Sequence, residues 1–222
     1  MNTNKGLAPH TGEIIEKISR LDCIKPFLLV GGTALSIQLQ TRQSEDLDFQ
    51  RWKQSKDDKL EIGWPDIHRE LETVGEIEQV DVLGFDQARF IVNDVKISFY
   101  AAPRHQIPTM QEIPYLNNIR LADVESIAIM KMEAMMRRSK FRDYYDIYSI
   151  LKSGIDINCI IPAAIEHSGY HLKKKGLMAM LTNGDLFRKD ASFPSLNPIY
   201  NVTPTDIELY IKSLLKQDNK TD

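Results

Sequence analysis

The most constraining feature of the sequence is a short apolar run that stops at two glycines and is followed by two aspartates. Residues 27–30, Phe-Leu-Leu-Val, carry no polar side chain, and Gly31 and Gly32 follow directly. A wholly apolar run of this length that ends at glycine is typical of a strand buried on both faces. Thirteen residues then separate the glycine pair from Asp46 and Asp48. The fold must therefore place a turn and two carboxylates beside a buried strand.

The two aspartates stand in a pattern typical of a strand with one buried face. Asp46 and Asp48 alternate with Leu47 and Phe49, which predicts a strand over residues 46–50. Both carboxylates then project to one side, where they repel each other unless a cation lies between them. Mg²⁺ commonly binds one or two carboxylates together with substrate phosphates. We therefore predict that the two aspartates bind Mg²⁺, with Mn²⁺ as the alternative metal.

The glycine pair supplies the second half of the predicted site. Gly31 and Gly32 allow the backbone to approach a ligand closely. Residues 33–40 are predicted to form a helix, whose first N–H groups and dipole attract an anion. Thr33 and Ser44 add hydroxyl groups nearby. Each element alone is more often a simple turn or a solvated strand, but their order predicts a nucleoside triphosphate (NTP) site between helix start and metal.

The remaining pattern divides the chain into two parts. Strands are predicted over residues 27–30, 46–50, 76–84, 87–92 and 95–100. Helices are predicted over residues 12–22, 33–40, 64–74, 123–138, 141–151, 158–167, 172–182 and 204–216. A proline-bearing segment, residues 103–114, separates the mixed part from the helical part. We predict an α+β fold, with a mixed sheet and flanking helices over residues 1–105 and a helical domain over residues 106–222 that completes the active-site cleft.

Composition limits the classes of function. The chain has 222 residues, of which 42% are hydrophobic and 27% charged, with a formal net charge of −3. Such a chain gains little overall attraction for nucleic acid, so RNA binding would need a local basic cluster. No run approaches the roughly 20 apolar residues of a membrane span. Cys23 and Cys159 lie far apart, so we expect a cytoplasmic protein without disulfides or a membrane partner.

Three stretches of the sequence resemble one protein family. Residues 31–35, GGTAL, and 42–49, RQSEDLDF, are similar to the signature of the nucleotidyltransferase superfamily, in particular of the AbiEii/AbiGii toxin family. Residues 131–147 resemble that family's lysine-bearing helix and the Arg-Asp stretch that follows it. The resemblance covers residues 27–151 and adds little for the last seventy or so.

This resemblance implies a fold of two lobes with the nucleotide between them, and roles for four residues. It implies that Asp46 and Asp48 are Mg²⁺ ligands, that Lys131 contacts phosphate, and that Asp143 is an active-site carboxylate. It further implies that the protein is the toxin of a toxin–antitoxin system of the abortive infection type. Such a toxin transfers a nucleotide from an NTP to RNA, such as the acceptor end of tRNA, and its antitoxin is encoded nearby.

One position departs from the superfamily pattern. Many nucleotidyltransferases carry a third carboxylate on the returning hairpin strand, where this chain has Ser98. Serine is a poor Mg²⁺ ligand and a weak base. Asp81 and Asp94 are nearby carboxylates in sequence, but neither is assigned the role, so the catalytic base stays unassigned. A catalytically weak nucleotide-binding module therefore remains one alternative, and an enzyme that modifies a small, aminoglycoside-like molecule remains another.

Basic residues of the helical half give two open interpretations. Arg138, Lys140 and Arg142 form a cluster, and three lysines follow at residues 173–175. These side chains suit contacts with an RNA phosphate backbone. They are equally typical of a solvated helix face. The same holds for Lys131, which could reach solvent from beside an apolar stripe.

Overall fold

The computed structural model describes residues 5–187 and 190–217. The chain divides into two compact units, residues 1–123 and 124–222. The division lies after residue 123, whereas the sequence pattern predicted it after residue 105. The difference has a physical cause, because the segment between these two positions contributes two strands to the sheet of the first unit.

The first unit combines helices with one seven-stranded sheet. Its helices are α1 (Pro9–Ile18), α2 (Gly31–Leu39) and α3 (Trp64–Leu71). Its strands are β1 (Leu28–Val30), β2 (Leu47–Trp52), β3 (Ile77–Gly84), β4 (Gln87–Val92), β5 (Val95–Ala102), β6 (Glu112–Leu116) and β7 (Ile119–Ala122). The strand order is β3-β4-β5-β2-β1-β7-β6. Strands β2 and β5 are parallel, as are β1 and β7, and the other neighbours are antiparallel. The predicted α+β fold with a mixed sheet is confirmed.

The two faces of the central strands differ in polarity. Leu47 and Phe49 are fully buried, and the ring of Phe49 stacks on Phe99 of β5 with ring centroids 5.3 Å apart. Asp48 and Ser98, which are register partners, lie on the opposite face. The alternation in the sequence thus correctly separates the apolar core from the face that carries the aspartates.

Strands β6 and β7 were not predicted. The sequence pattern placed their residues in a proline-bearing connection to the helical domain. Pro114 lies within β6, which forms the edge of the sheet. A proline is tolerated there because an edge strand has one side without ladder hydrogen bonds. Both strands are also short, with five and four residues, so their alternation is too brief to be recognised.

The second unit is helical. Its α-helices are α4 (Val124–Arg138), α5 (Phe141–Lys152), α6 (Ile157–His167), α7 (Lys174–Leu181) and α8 (Pro204–Gln217). Tyr144 and Tyr145 are fully buried, and Tyr144 stacks on Phe187 with ring centroids 4.0 Å apart. The Tyr144 hydroxyl donates to the Leu181 carbonyl at 2.7 Å. Among the described residues, no helix is long and apolar enough to cross a bilayer.

Candidate active site

The two aspartates lie where strand β1 passes into helix α2. Asp48 sits in β2, with Val30 as its register partner on one side and Ser98 on the other. Asp46 directly precedes β2. Both aspartates are half-buried, and their even spacing directs them to the same face. The predicted pair of carboxylates is therefore accessible on one side of the sheet, next to the last residue of β1.

Gly31 brings the backbone close to Asp48. Helix α2 begins at Gly31 itself, two residues earlier than predicted, and Gly31 has a φ of +70°. A Cβ atom at this position would lie 3.2 Å from the Oδ2 atom of Asp48. The N-cap residue is Val30, which supplies no side-chain acceptor to the first turn. A helix start of this kind suits an incoming anion, and the space beside the carboxylate exists because residue 31 has no side chain.

Thr33 and Ser44 hold the loop that carries Asp46. Both hydroxyl residues are buried, and their oxygen atoms lie 2.8 Å apart. The Thr33 hydroxyl also bonds to the Asp46 carbonyl oxygen. A hydroxyl group has one proton, so Thr33 donates to this carbonyl and accepts from Ser44. These two predicted nucleotide-binding residues are therefore at the site, where they fix the position of an aspartate.

Residues near the chain start hold the same loop from the other side. The Ala8 N–H donates to the Ser44 carbonyl at 2.9 Å, and the Ser44 N–H donates to the Gly6 carbonyl at 3.0 Å. The buried Thr11 hydroxyl donates to the Glu45 carbonyl at 2.7 Å. We call Gly6, Ala8 and Thr11 the N-terminal clamp. Because the clamp satisfies successive backbone groups of the loop, the loop has little freedom to move.

A buried arginine lies beside the second glycine. Arg42 is 4% exposed and donates through Nη1 to the Gln43 carbonyl at 2.8 Å. A Cβ atom at Gly32 would lie 2.7 Å from Nη2 of Arg42. A side chain at residue 32 would therefore displace the guanidinium group of Arg42. The arginine adds a positive charge near the start of α2, which favours an anion there.

A lysine occupies the face that the two aspartates share. The Nζ atom of Lys96, on β5, forms an ion pair with Oδ2 of Asp46. Two residues along the same strand, Ser98 is buried beside Asp48 in register. On its other side, Ser98 has Arg89 of β4 as its register partner. Strand β5, where the superfamily pattern has a third carboxylate, thus carries the cation of Lys96 and the small hydroxyl side chain of Ser98.

The chemistry of these groups fits a divalent metal that is shared with a substrate. Asp46 and Asp48 supply carboxylate oxygens on one face, and Gly31 leaves space beside one of them. Within residues 5–187 and 190–217, no group of three or more His, Cys, Asp or Glu side chains is arranged to hold a metal. Two protein carboxylates completed by phosphate oxygens are a common arrangement for Mg²⁺.

The second unit contains a buried network of four charges. Lys131 Nζ lies 2.8 Å from Asp143 Oδ1 and 2.6 Å from Asp146 Oδ2. Arg138 makes a bidentate pair with Asp143, at 2.6 Å from Nε to Oδ2 and 2.7 Å from Nη2 to Oδ1. Lys131 and both aspartates are buried, whereas the Arg138 side chain is 49% exposed. The two positive and two negative charges compensate one another.

The network keeps Asp143 ionised. Burial acts to raise the pKa of Asp143, but the charge of Lys131 and the charge and hydrogen bonds of Arg138 outweigh it. The pKa of this carboxyl group is therefore held well below its usual range. Lys131 does not extend to solvent along the helix surface, so that interpretation of its side chain was wrong.

The comparison with known proteins assigns the chain to a family. Residues 14–218 match the family described as nucleotidyl transferase AbiEii toxin, type IV TA system. The chain belongs to this family. A relative of this AbiEii-family protein, named uncharacterized protein aq_aa25 in Aquifex aeolicus strain VF5, is 29% identical over 149 residues. That alignment spans 65% of this chain and 68% of the relative.

Two solved structures share the fold of this AbiEii-family protein. MenT4, a nucleotidyltransferase toxin from Mycobacterium tuberculosis H37Rv, has a TM-score of 0.58 and 14% identity, over 94% of this chain and 86% of that one. An H. pylori protein, provisionally described as a nucleotidyltransferase, has a TM-score of 0.54 and 17% identity, over 95% and 93%. The fold is that of nucleotidyltransferases. By family, the protein is a nucleotidyltransferase and a toxin that acts on NTP and has an antitoxin partner.

The three basic residues predicted to contact RNA have different environments in the AbiEii-family protein. Lys140 is exposed at the start of α5. Arg138 is engaged with Asp143, as described above. Arg142 is held by Asp190, at 2.8 Å from Nε to Oδ2, and its Nη2 lies 3.2 Å from the Ser192 hydroxyl. Lys140 and Arg138 are both exposed and Arg142 is half-buried, and the two arginines also stabilise the unit.

Some site residues were missed although the sequence contained a signal for them. Asp146 lies three residues after Asp143, a spacing that places both on one face of a helix. Lys96 stands two residues before Ser98, so that both point to the same side of a strand. Arg42 stands four residues before Asp46, an even spacing that places two residues on the same face of an extended segment. The N-terminal clamp left no such signal, because its contacts join residues that are far apart in the chain.

Proposed function

We propose that this protein is a Mg²⁺-dependent nucleotidyltransferase toxin of the cytoplasm that transfers a nucleotide from an NTP to RNA, such as the acceptor end of tRNA. The observation that carries the proposal is the placement of Asp46 and Asp48 on one face, beneath the glycine start of helix α2. A carboxylate pair and a helix N-terminus together supply what a triphosphate needs, a metal site and an anion site.

The residues of the first unit have separate proposed roles in binding metal, binding phosphate and positioning the aspartates. Asp46 and Asp48 would hold Mg²⁺ (or Mn²⁺), which when bound polarises phosphoryl oxygens and neutralises developing charge. The start of α2 at Gly31 and Gly32 binds and orients phosphate through backbone N–H groups and the helix dipole. Thr33, which accepts a hydrogen bond from Ser44, holds the loop that carries Asp46 in place. A hydroxyl oxygen of the acceptor attacks the α-phosphorus and its proton passes to solvent, while the bond from the α-phosphorus to the bridging oxygen breaks and pyrophosphate leaves.

Ser98 is compatible with turnover. Nucleotidyl transfer is an in-line displacement at the α-phosphorus, and its catalysis depends mainly on positioning and on stabilisation of the attacking and leaving oxygens by bound metal. A strong general base contributes less than correct alignment does. The replacement of a third carboxylate by Ser98 is therefore expected to slow the reaction without preventing it.

The second unit contributes further proposed roles. We assign Lys131 a role towards the triphosphate and Asp143 a role as an active-site carboxylate, and both assignments rest on family membership. Arg138, Lys140 and Arg142 are proposed contacts for the RNA phosphate backbone, since basic side chains supply most of the affinity for nucleic acid. An antitoxin encoded nearby is expected to counteract the activity.

The direct test measures the transfer of label from α-³²P NTPs to tRNA in the presence of Mg²⁺. Asp48→Asn is expected to lower the rate by at least about 100-fold, because it removes a carboxylate that would hold the Mg²⁺, whose positive charge stabilises the transition state. The matched control is Asp81→Asn, since Asp81 is a half-buried aspartate of β3 in the same sheet. Its rate should stay near that of the wild type. If wild-type protein neither bound nor transferred any of the four NTPs, the proposal would fail.

Ser98 favours one alternative, a nucleotide-binding module with little turnover. In that case an NTP would raise the melting temperature, as binding to the folded state requires, while no pyrophosphate appeared. Asp48→Asn would then leave the toxic effect in cells unchanged. An enzyme for a small acceptor would instead release pyrophosphate with an aminoglycoside and not with RNA, so the same assay separates the candidates.

A further inference from the structure

Lys96 is the residue of the aspartate face that the proposed reaction leaves without a role. Strands β2 and β5 run parallel with Asp48 beside Ser98, so Lys96 comes next to Asp46. Its ammonium group forms an ion pair with Oδ2 of that aspartate. One of the two proposed metal ligands is therefore already neutralised by a cation of the protein itself.

The ammonium group of Lys96 can exchange Asp46 for another anion. The side chains of Lys96 and Asp46 are 39% and 34% exposed, and ion pairs in contact with water are weak. Lysine is a compact charge on a flexible stem of four carbons, and its neighbour Ser98 is small. The ammonium group can therefore leave one anion for another nearby without a change in the backbone.

A metal ion and Lys96 compete for the same carboxylate. Both are cations, so occupancy of Asp46 by the lysine lowers the affinity of the pair of aspartates for a metal alone. A triphosphate changes this balance, because it brings several negative charges to the start of α2, beside Asp48. These charges give the ammonium group a second partner and release the Asp46 carboxylate.

We propose that Lys96 is a positioning residue that keeps Asp46 neutralised until a nucleotide is present, and that it then pairs with the triphosphate. This inference rests on the proposed function, since it takes an NTP and a divalent metal as the ligands. It makes the binding of metal and the binding of nucleotide depend on each other. By linkage, each ligand raises the affinity for the other by the same factor.

The test measures metal affinity directly on the whole protein, by titration with Mn²⁺ and detection of free Mn²⁺ by electron paramagnetic resonance. Without nucleotide, Lys96→Met is expected to bind Mn²⁺ about tenfold more tightly than wild type, a typical size for coupling between sites. With a non-hydrolysable NTP analogue, the wild type should gain Mn²⁺ affinity more than the variant does. Lys96→Arg retains the charge and should stay close to wild type.

The matched control is Lys25→Met, because Lys25 also pairs with an aspartate, Asp22, at 2.7 Å. This pair lies on the surface of the same unit, and its loss should leave Mn²⁺ binding unchanged. Unchanged or weaker Mn²⁺ binding by Lys96→Met would overturn the inference. Absence of nucleotide transfer to RNA by wild-type protein would instead count against the proposed acceptor, and it would not alter the metal titration.

Discussion

Gly31 has two roles, since it adopts a backbone conformation that favours glycine and it leaves space beside Asp48. Its φ of +70° lies in the left-handed region, and a Cβ atom there would lie 3.2 Å from a carboxylate oxygen of Asp48. We expect Gly31→Ala to lower the free energy of unfolding by about 1–2 kcal/mol, the usual cost of this conformation for a residue with a side chain. It should also weaken NTP binding, because the methyl group enters the space beside the carboxylate. Denaturant titration and nucleotide binding by calorimetry measure the two effects.

The chain offers a control that separates strain from obstruction. Gly63 has a φ of +63°, and a Cβ atom there would meet nothing within 4 Å. Gly63→Ala should therefore cost a similar amount of stability while NTP binding stays at the wild-type level. Equal loss of binding in both variants would mean that the space beside Asp48 is not used by the nucleotide.

At the scale of elements, helices α4 and α5 are joined by the four-charge network. Lys131→Met leaves Asp146 and Asp143 buried with one cation fewer, and such an uncompensated charge costs about 3–5 kcal/mol. We expect a loss of unfolding free energy of this order, measured by urea denaturation. Arg137→Met is the control, because Arg137 also belongs to α4 and its side chain, which pairs with Glu133, is 71% exposed. That change should cost at most about 0.5 kcal/mol.

The same network predicts how stability depends on pH. The pKa of Asp143 is lower in the folded protein than in the unfolded chain. Its contribution to stability is therefore fully present above the ordinary aspartate pKa of about 3.9, and it is lost as the pH falls below that value. Urea denaturation between about pH 2 and pH 5 should show this decrease. Asp143→Asn should show a flatter profile, and an identical slope in both proteins would contradict the prediction.

The elements that the sequence predicted well are those with a long local pattern. Residues 46–50 alternate between polar and apolar side chains, and the hairpin of β4 and β5 turns at Asn93 and Asp94, both with positive φ. Strands β6 and β7 are short and β6 contains Pro114, so the pairing of these strands is decided by the sheet and not by local preference. For the same reason, the pair of aspartates was predictable from spacing, whereas the partners of Asp46 required the register between two strands.

At the scale of the whole molecule, the division after residue 123 has a measurable consequence. Strand β1 pairs with β2 on one side and with β7 on the other. A fragment of residues 1–123 keeps both partners and is expected to be soluble and folded. A fragment of residues 1–105 leaves one edge of an entirely buried, apolar strand unpaired, which favours aggregation. Size-exclusion chromatography and circular dichroism compare the two, and equal behaviour would show that β7 is dispensable.

The N-terminal clamp holds the loop that carries Asp46, although the two segments lie more than thirty residues apart in the sequence. A Cβ atom at Gly6 would lie 2.1 Å from the Ser36 carbonyl oxygen of α2, so the clamp lies tightly against the helix that begins the site. Its residues form no strand of the sheet, so a peptidase that trimmed them would leave the strand ladder intact. Loss of the clamp would free the loop that bears Asp46, and because Ala8 and Thr11 are themselves buried, it would also loosen the packing around α1.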